Sequence, residues 1–151
     1  MSASPGPPDG ETLPISVLAL QVDDEHLDSL GHVNHAEYVR MLETARSAWY
    51  REVGLPIDGE NGQPPTIGTV VVNLNVNFRA ECVSGDRLRI TTWGIRRGRT
   101  SYVLEQHVIR HDDAAVADAT CTCVVMDLAS RTVLPVPAPL VRALPGASTH
   151  L

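Results

Sequence analysis

The chain has no apolar run approaching the roughly 18 residues of a membrane-spanning helix. Its N-terminus lacks a basic segment followed by an apolar one. No secretory signal is therefore expected, and a cytoplasmic location follows by default. It also lacks a basic excess, with 12 basic against 18 acidic side chains and a formal net charge of −6. That balance speaks against nucleic-acid or membrane-surface binding, both of which favour a positive face. Lysine is missing altogether; every basic residue is arginine. This bias fits a GC-rich genome and says little about chemistry. Cysteine is scarce and odd in number: Cys82, Cys121 and Cys123. The last two are spaced C-x-C, so neither a redox nor a zinc motif is present. On a strand they would share a face as small buried hydrophobes. Internal repeats are absent.

What is present fits one domain. At 151 residues the chain is long enough to remove roughly 68–70% of its unfolded surface from water. Residues 1–13, with Pro5, Gly6, Pro7, Pro8 and Gly10, read as a disordered leader. The domain spans 14–144, and 145–151 reads as a flexible tail. Ile15 to Val22 is a first strand, followed by a loop from Asp23 to Asn34. Asn34 has the chemistry of a helix N-cap, with Glu37 in the capping-box position. Beyond it Tyr38, Met41, Leu42, Ala45, Trp49 and Val53 recur at helical spacing until Gly54 and Pro56 stop the helix. About 19 residues give a helix of roughly 28 Å.

The remainder is strand-like. Residues 55–66 are a Gly/Pro/Asn loop long enough to serve as a lid or substrate wall. In Thr69–Phe78 the apolar Val70, Val72, Leu74, Val76 and Phe78 alternate with Val71, Asn73, Asn75 and Asn77. Turns at Gly85-Asp86, Arg96–Arg99 and Asp112-Asp113 separate strands over 87–95, 101–110 and 115–127. Ala115, Ala117, Ala119, Cys121 and Cys123 share one face of the last, leaving room for a helix. A short helical turn within 140–144 closes the fold. One strand, one long helix and four antiparallel strands predict an α+β domain with the helix laid across a curved sheet.

The densest chemistry lies in Asp28-Ser29-Leu30-Gly31-His32-Val33-Asn34-His35-Ala36-Glu37-Tyr38. It places a carboxylate just ahead of a helix N-terminus. The positive helix end can hold a carbonyl oxygen while the carboxylate attacks it or activates water. From position alone Asp28 is equally a solvated loop carboxylate. His26, His32, His35 and Glu37 match none of the usual zinc spacings, so no metal site is expected.

The segment Asp28-x-x-Gly31-His32-Val33-Asn34-x-Ala36-x-Tyr38, followed by Glu43-x-Ala45-Arg46, resembles the signature of hotdog-fold acyl-CoA thioesterases of the 4-hydroxybenzoyl-CoA thioesterase type. Phe78 with Gly85-Asp86, Gly98-Arg99-Thr100-Ser101 and Arg131-x-Val133-x-Pro135-x-Pro137 are further echoes. The resemblance covers about residues 15–144. It implies a long central helix wrapped by a curved five-stranded antiparallel sheet. It also implies a homodimer joined sheet edge to sheet edge, often a homotetramer, with active sites at the subunit interface. The implied substrate is an acyl-CoA or acyl-carrier-protein thioester, with no cofactor. A hotdog hydratase or dehydratase and a non-catalytic acyl-CoA-binding module are the rival readings. The family's catalytic carboxylate falls on Asp28, and the backbone N–H that polarises the carbonyl falls near His35. Two departures stand out. His26 replaces a second Asp, and Glu81 replaces a Pro before the Gly-Asp turn.

The remaining candidates have two readings each. Gly31 lets the backbone turn tightly beneath a substrate. His32 either orients Asp28, water or thioester, or is hydrogen-bonded within the loop. Asn34 is a helix cap or a catalytic group, and the roles coincide where the capped helix end fixes the oxyanion donors. Tyr38 lines the core or an acyl pocket. Arg97 and Arg99, with Arg96, are a solvated turn or a receptor for the phosphates of coenzyme A. The apolar edge of Thr69–Phe78 is expected to pair with its copy in a second subunit about a two-fold axis.

Overall fold

A computed structural model describes residues 13–146. The expectations placed on residues 1–12 and 147–151 lie outside the described residues. The chain order is β1 (Ile15–Gln21), a 3₁₀ turn (Asp24–His26), α1 (His35–Val53), β2 (Ile67–Phe78), β3 (Arg87–Arg97), β4 (Ser101–Arg110), β5 (Ala115–Asp127), β6 (Thr132–Val133) and α2 (Ala138–Ala143). The strands form one antiparallel sheet in the order β1-β3-β4-β5-β2, with the two-residue β6 paired to the end of β5. β1 and β2 are therefore its edges. The single long helix and five-stranded sheet agree with the α+β expectation.

α1 forms where the apolar period is 3.6. Tyr38, Met41, Leu42, Ala45 and Trp49 are all buried against the sheet. Gly54 ends it in the left-handed region at φ 87°, where an L side chain would be strained. Across from it lie Leu88 and Ile90 of β3, Val108 of β4, and Ala117 and Ala119 of β5. A second cluster at the far end of the helix joins Trp49 and Tyr50 to Tyr102, Leu104, Cys121, Cys123 and the α2 residues Leu140 and Ala143. Leu42 is fully buried at the helix centre. Truncating it to Ala removes about 2–5 kcal/mol. Ala117, Ala119, Cys121 and Cys123 of β5 do face the core, but a bulge at Val116 takes Ala115 out of that phase, and the thiols of Cys121 and Cys123 lie 3.4 Å apart. Each is a free cysteine.

Three details differ from the sequence expectation. In β2 the alternation changes phase. Val71 pairs with Cys123 and Asn73 with Thr122, so Val72 is the extra residue of a β-bulge. Val71 thus shares the core-side phase, and Leu74 and Val76 resume it after the bulge. Three consecutive valines conceal that slip from any period-two reading. The capping box at Asn34 is also absent. The Asn34 side chain caps Ala36 N–H, but its own N–H donates to the His26 carbonyl and Glu37 turns to Arg40. A capping box forms instead at the 3₁₀ turn, between Asp23 and His26. Finally, Arg46 on α1 is buried. Its guanidinium donates to Gln106, whose amide donates to the Leu42 carbonyl and the Thr92 hydroxyl. Helical spacing gave no sign of this long-range polar contact.

Candidate active site

The loop between β1 and α1 is a small closed hairpin. Leu27 and Val33 form an antiparallel bridge. Asp28 N–H donates to the His32 carbonyl at 2.8 Å and Gly31 N–H to the Asp28 carbonyl at 3.1 Å. Gly31 adopts φ 82°, the left-handed turn expected of it. The Asp28 side chain folds over this turn. Its Oδ1 accepts from Leu30 N–H at 2.9 Å and His32 N–H at 3.4 Å. Among the described residues Oδ2 has no hydrogen-bond partner. The carboxylate is therefore oriented by backbone through one oxygen and free at the other.

At the start of α1 the N–H groups are accounted for one by one. Asn34 N–H is taken by His26 O, Ala36 N–H by Asn34 Oδ1, and Glu37 N–H by Asn34 O. His35 N–H has no acceptor among the described residues. It sits at the positive end of a 19-residue helix. A free carboxylate oxygen in the loop and a free N–H at the first residue of the helix, seven positions on, are the two groups that acyl transfer uses: a nucleophile or base, and an oxyanion donor. Asn34 is accordingly a cap whose bonds leave His35 N–H as the unclaimed donor.

The other candidates divide between this end of the molecule and the opposite one. The His32 imidazole makes no hydrogen bond to Asp28; its Nε2 lies 3.1 Å from Oε2 of Glu81. The His35 ring is exposed and meets Phe78 edge-on at 6.3 Å between centroids. Tyr38 is buried against Phe78 at 5.9 Å. Its hydroxyl has no partner of ordinary geometry, and burial together with the Cys82 thiol pushes the phenol far above its usual range. Arg97 and Arg99 flank the β3–β4 turn, ten residues along β3 from Arg87, near which the Asp28 loop lies. That is up to about 33 Å of strand. One chain thus does not bring them to Asp28. The 55–66 loop follows the C-terminus of α1, about 28 Å of helix from His35. It therefore cannot wall the Asp28 loop of its own chain.

Glu81, which neighbours His32, stood out in the sequence only as a departure from the family pattern. No group of three His, Cys, Asp or Glu among the described residues is placed to hold a metal ion. Among them no helix is long and apolar enough to cross a membrane.

Residues 22–144 match the family model described as the thioesterase-like superfamily. The long-chain acyl-CoA thioesterase FadM of Escherichia coli (strain K12) is 35% identical over 123 residues, spanning 76% of this chain and 86% of that one. The solved structure of the PA2801 protein from Pseudomonas aeruginosa superposes with a TM-score of 0.76 at 26% identity, covering 85% of this chain and 96% of that one. YbaW from Escherichia coli gives a TM-score of 0.69 at 29% identity, covering 86% and 99%. The chain belongs to the thioesterase-like superfamily: it is a hotdog-fold hydrolase of the acyl-CoA thioesterase class. Of the proteins named here it is similar to FadM over the greatest identity.

Proposed function

We propose that this thioesterase cleaves acyl-CoA thioesters of the long-chain class, with Asp28 as nucleophile or general base and His35 N–H as oxyanion donor. The observation that carries this reading is an unpartnered Asp28 oxygen in the closed loop just ahead of α1 together with an unpartnered N–H at the first residue of that helix. The resemblance to FadM supports the acyl class. Either Oδ2 attacks the carbonyl carbon and expels the CoA thiolate, leaving an anhydride that water hydrolyses, or it takes a proton from water that attacks directly. The products are the same: a carboxylic acid and free thiol. In both routes negative charge grows on the carbonyl oxygen, where a fixed N–H is worth most. The His32 ring makes no hydrogen bond to Asp28 and lies toward Glu81, which speaks against the paired acid and base that a hydratase would use.

The proposed functional unit is a dimer. β2 is a 12-residue edge strand with Val71, Val72 and Phe78 exposed. An edge of that length invites pairing. A two-fold axis through β2 reverses the second strand, so the Phe78 end of one subunit lies beside the Ile67 end of its partner. The partner's arginine hairpin then shares an end of the assembly with the Asp28 loop, where it can meet the phosphates of CoA. The test is a panel of acyl-CoAs of increasing length, followed by free-thiol release, with enoyl-CoA hydration as control. Release rising toward long chains is expected. Hydration without thiol release, or binding without turnover, contradicts the reading.

A further inference from the structure

Along β2 the side chains alternate between the two faces of the sheet. Asn77, and Arg79 just beyond the strand, turn to the outer face, where both donate to the Asp118 carboxylate. Leu74 and Val76 turn inward and pack against the core beneath α1. Phe78 continues that inner row. Its ring meets two residues of the first turn of α1: His35 edge-on at 6.3 Å and Tyr38 tilted at 5.9 Å. The Tyr38 hydroxyl lies by the Cys82 thiol, so Phe78 meets the ring of Tyr38 and not its polar tip. Phe78 nonetheless stays 49% exposed, because α1 begins at His35 and no earlier turn covers the ring. A single exposed apolar side chain is ordinary on a protein surface. The position of this one is not: it packs on the residue assigned above as the oxyanion donor.

Resting on the thioesterase reading above, we infer that Phe78 is a specificity-determining residue: its open ring is the surface against which the acyl chain lies when the thioester carbonyl sits on His35 N–H. An oxygen at hydrogen-bond distance from that nitrogen puts the carbonyl carbon roughly 4 Å from it. That carbon carries two arms. The pantetheine arm has amides, which lose their bonds to water wherever no new partner is offered. Phe78, Val76 and the ring of Tyr38 offer none. The acyl arm needs none, and each methylene laid on the ring gains by leaving water. The contact grows with the length of the chain, so the ring acts on the choice among acyl groups and not on the chemistry at the carbonyl. Pairing of β2 about a two-fold engages the backbone edge of the strand. The Phe78 side chain stands roughly perpendicular to the sheet, on the side of α1.

The test compares the full-length wild type with Phe78→Ala and Phe78→Leu on hexadecanoyl-CoA and butanoyl-CoA. The readout is the ratio of the two kcat/KM values, in which any general loss of folded protein cancels. Phe78→Ala is expected to lower the long-to-short ratio about tenfold, and Phe78→Leu, which keeps much of the apolar area, to hold it within about threefold of wild type. Light scattering is expected to show the wild-type oligomeric state in both variants. An unchanged ratio in Phe78→Ala overturns the inference. So does an equal loss on both substrates, which makes the ring a contact of the pantetheine arm or a brace for His35. A changed oligomeric state in Phe78→Ala also overturns it, by giving the ring to the subunit seam. If the wild type hydrolyses no acyl-CoA, the thioesterase reading fails instead. Calorimetry with non-hydrolysable thioether analogues of the same two chain lengths then decides: the long-to-short affinity ratio is expected to fall about tenfold in Phe78→Ala, and an unchanged ratio overturns the inference.

Discussion

The two ends of the sheet treat charge in opposite ways. Where α1 begins, polar groups are taken up by named partners: Arg79 by Asp118, Arg89 by Asp113, Arg110 by Asp112, His32 by Glu81. Where α1 ends, Arg96, Arg97, Arg99 and Arg142 make no ion pair among the described residues. Arg97 even keeps a buried Nε without an acceptor. Arg51 at this end does pair with Asp58, and Arg87 at the loop end makes no ion pair among the described residues, so the contrast is a cluster of unpaired arginines around the β3–β4 turn. In the proposed dimer the loop end holds a fixed geometry and the arginine end receives charge from elsewhere, and a two-fold at β2 would add one to the other.

The largest effect should come from separating them. Val72→Asp places a charge on the bulged, exposed edge of β2, a common way for natural sheets to block edge pairing. It should turn a dimer into a monomer by light scattering and reduce kcat/KM more than tenfold (on the order of a charge-assisted hydrogen bond lost from the site). A fully active monomer would break the comparison. Arg97→Ala or Arg99→Ala should raise KM for an acyl-CoA about tenfold and spare a pantetheine thioester, and added salt should mimic the change. Equal effects on both substrates would leave the arginine end without a role in phosphate recognition.

At the loop end, Gly31→Ala meets no steric clash but forces an L side chain into φ 82°. A loss of about 1–2 kcal/mol by denaturant titration is expected, together with a lower kcat as the turn that aims Asp28 relaxes. The smallest effect concerns pH. Burial pushes the Asp118 carboxyl up, but hydrogen bonds from Arg79 and Asn77 outweigh it and hold it below the ordinary range. A depressed folded value means stability present above the unfolded value near pH 4 and lost as pH falls through the folded one. Asp118→Asn should remove that part of the acid dependence. Identical acid unfolding curves for variant and wild type would show the ion pair to be inconsequential.

Much of this was legible in the sequence because it is local. The α1 stripe, its Asn34 cap and Gly54 stop, and the bounds of β4 and β5 follow from period and turn residues, and the structure reproduces them. Asp28, Gly31 and His35 fall in one loop because they are near neighbours in the chain. What escaped was either a choice between equal local options or a contact across the fold. Asn34 N–H had two possible acceptors, Glu37 and a main-chain carbonyl, and the carbonyl of His26 won. The bulge at Val72 hides in a run of three valines. Glu81 and His32 are 49 positions apart, and Arg46 and Gln106 are 60 apart, so no window of sequence contains either pair.

Asp28→Asn tests the catalytic assignment most directly. The substitution keeps the size of the side chain and an oxygen for the Leu30 N–H, and removes the negative charge. With the best long-chain acyl-CoA, kcat is expected to fall about 10²–10⁴-fold while binding of a non-hydrolysable analogue stays within a few-fold (roughly 1 kcal/mol) of wild type. The variant should keep its melting temperature, since a carboxylate at a partly solvated turn carries little folding energy. Turnover within about threefold of wild type, well short of what losing a general base removes, would contradict the assignment of Asp28 and leave the family fold without its proposed chemistry.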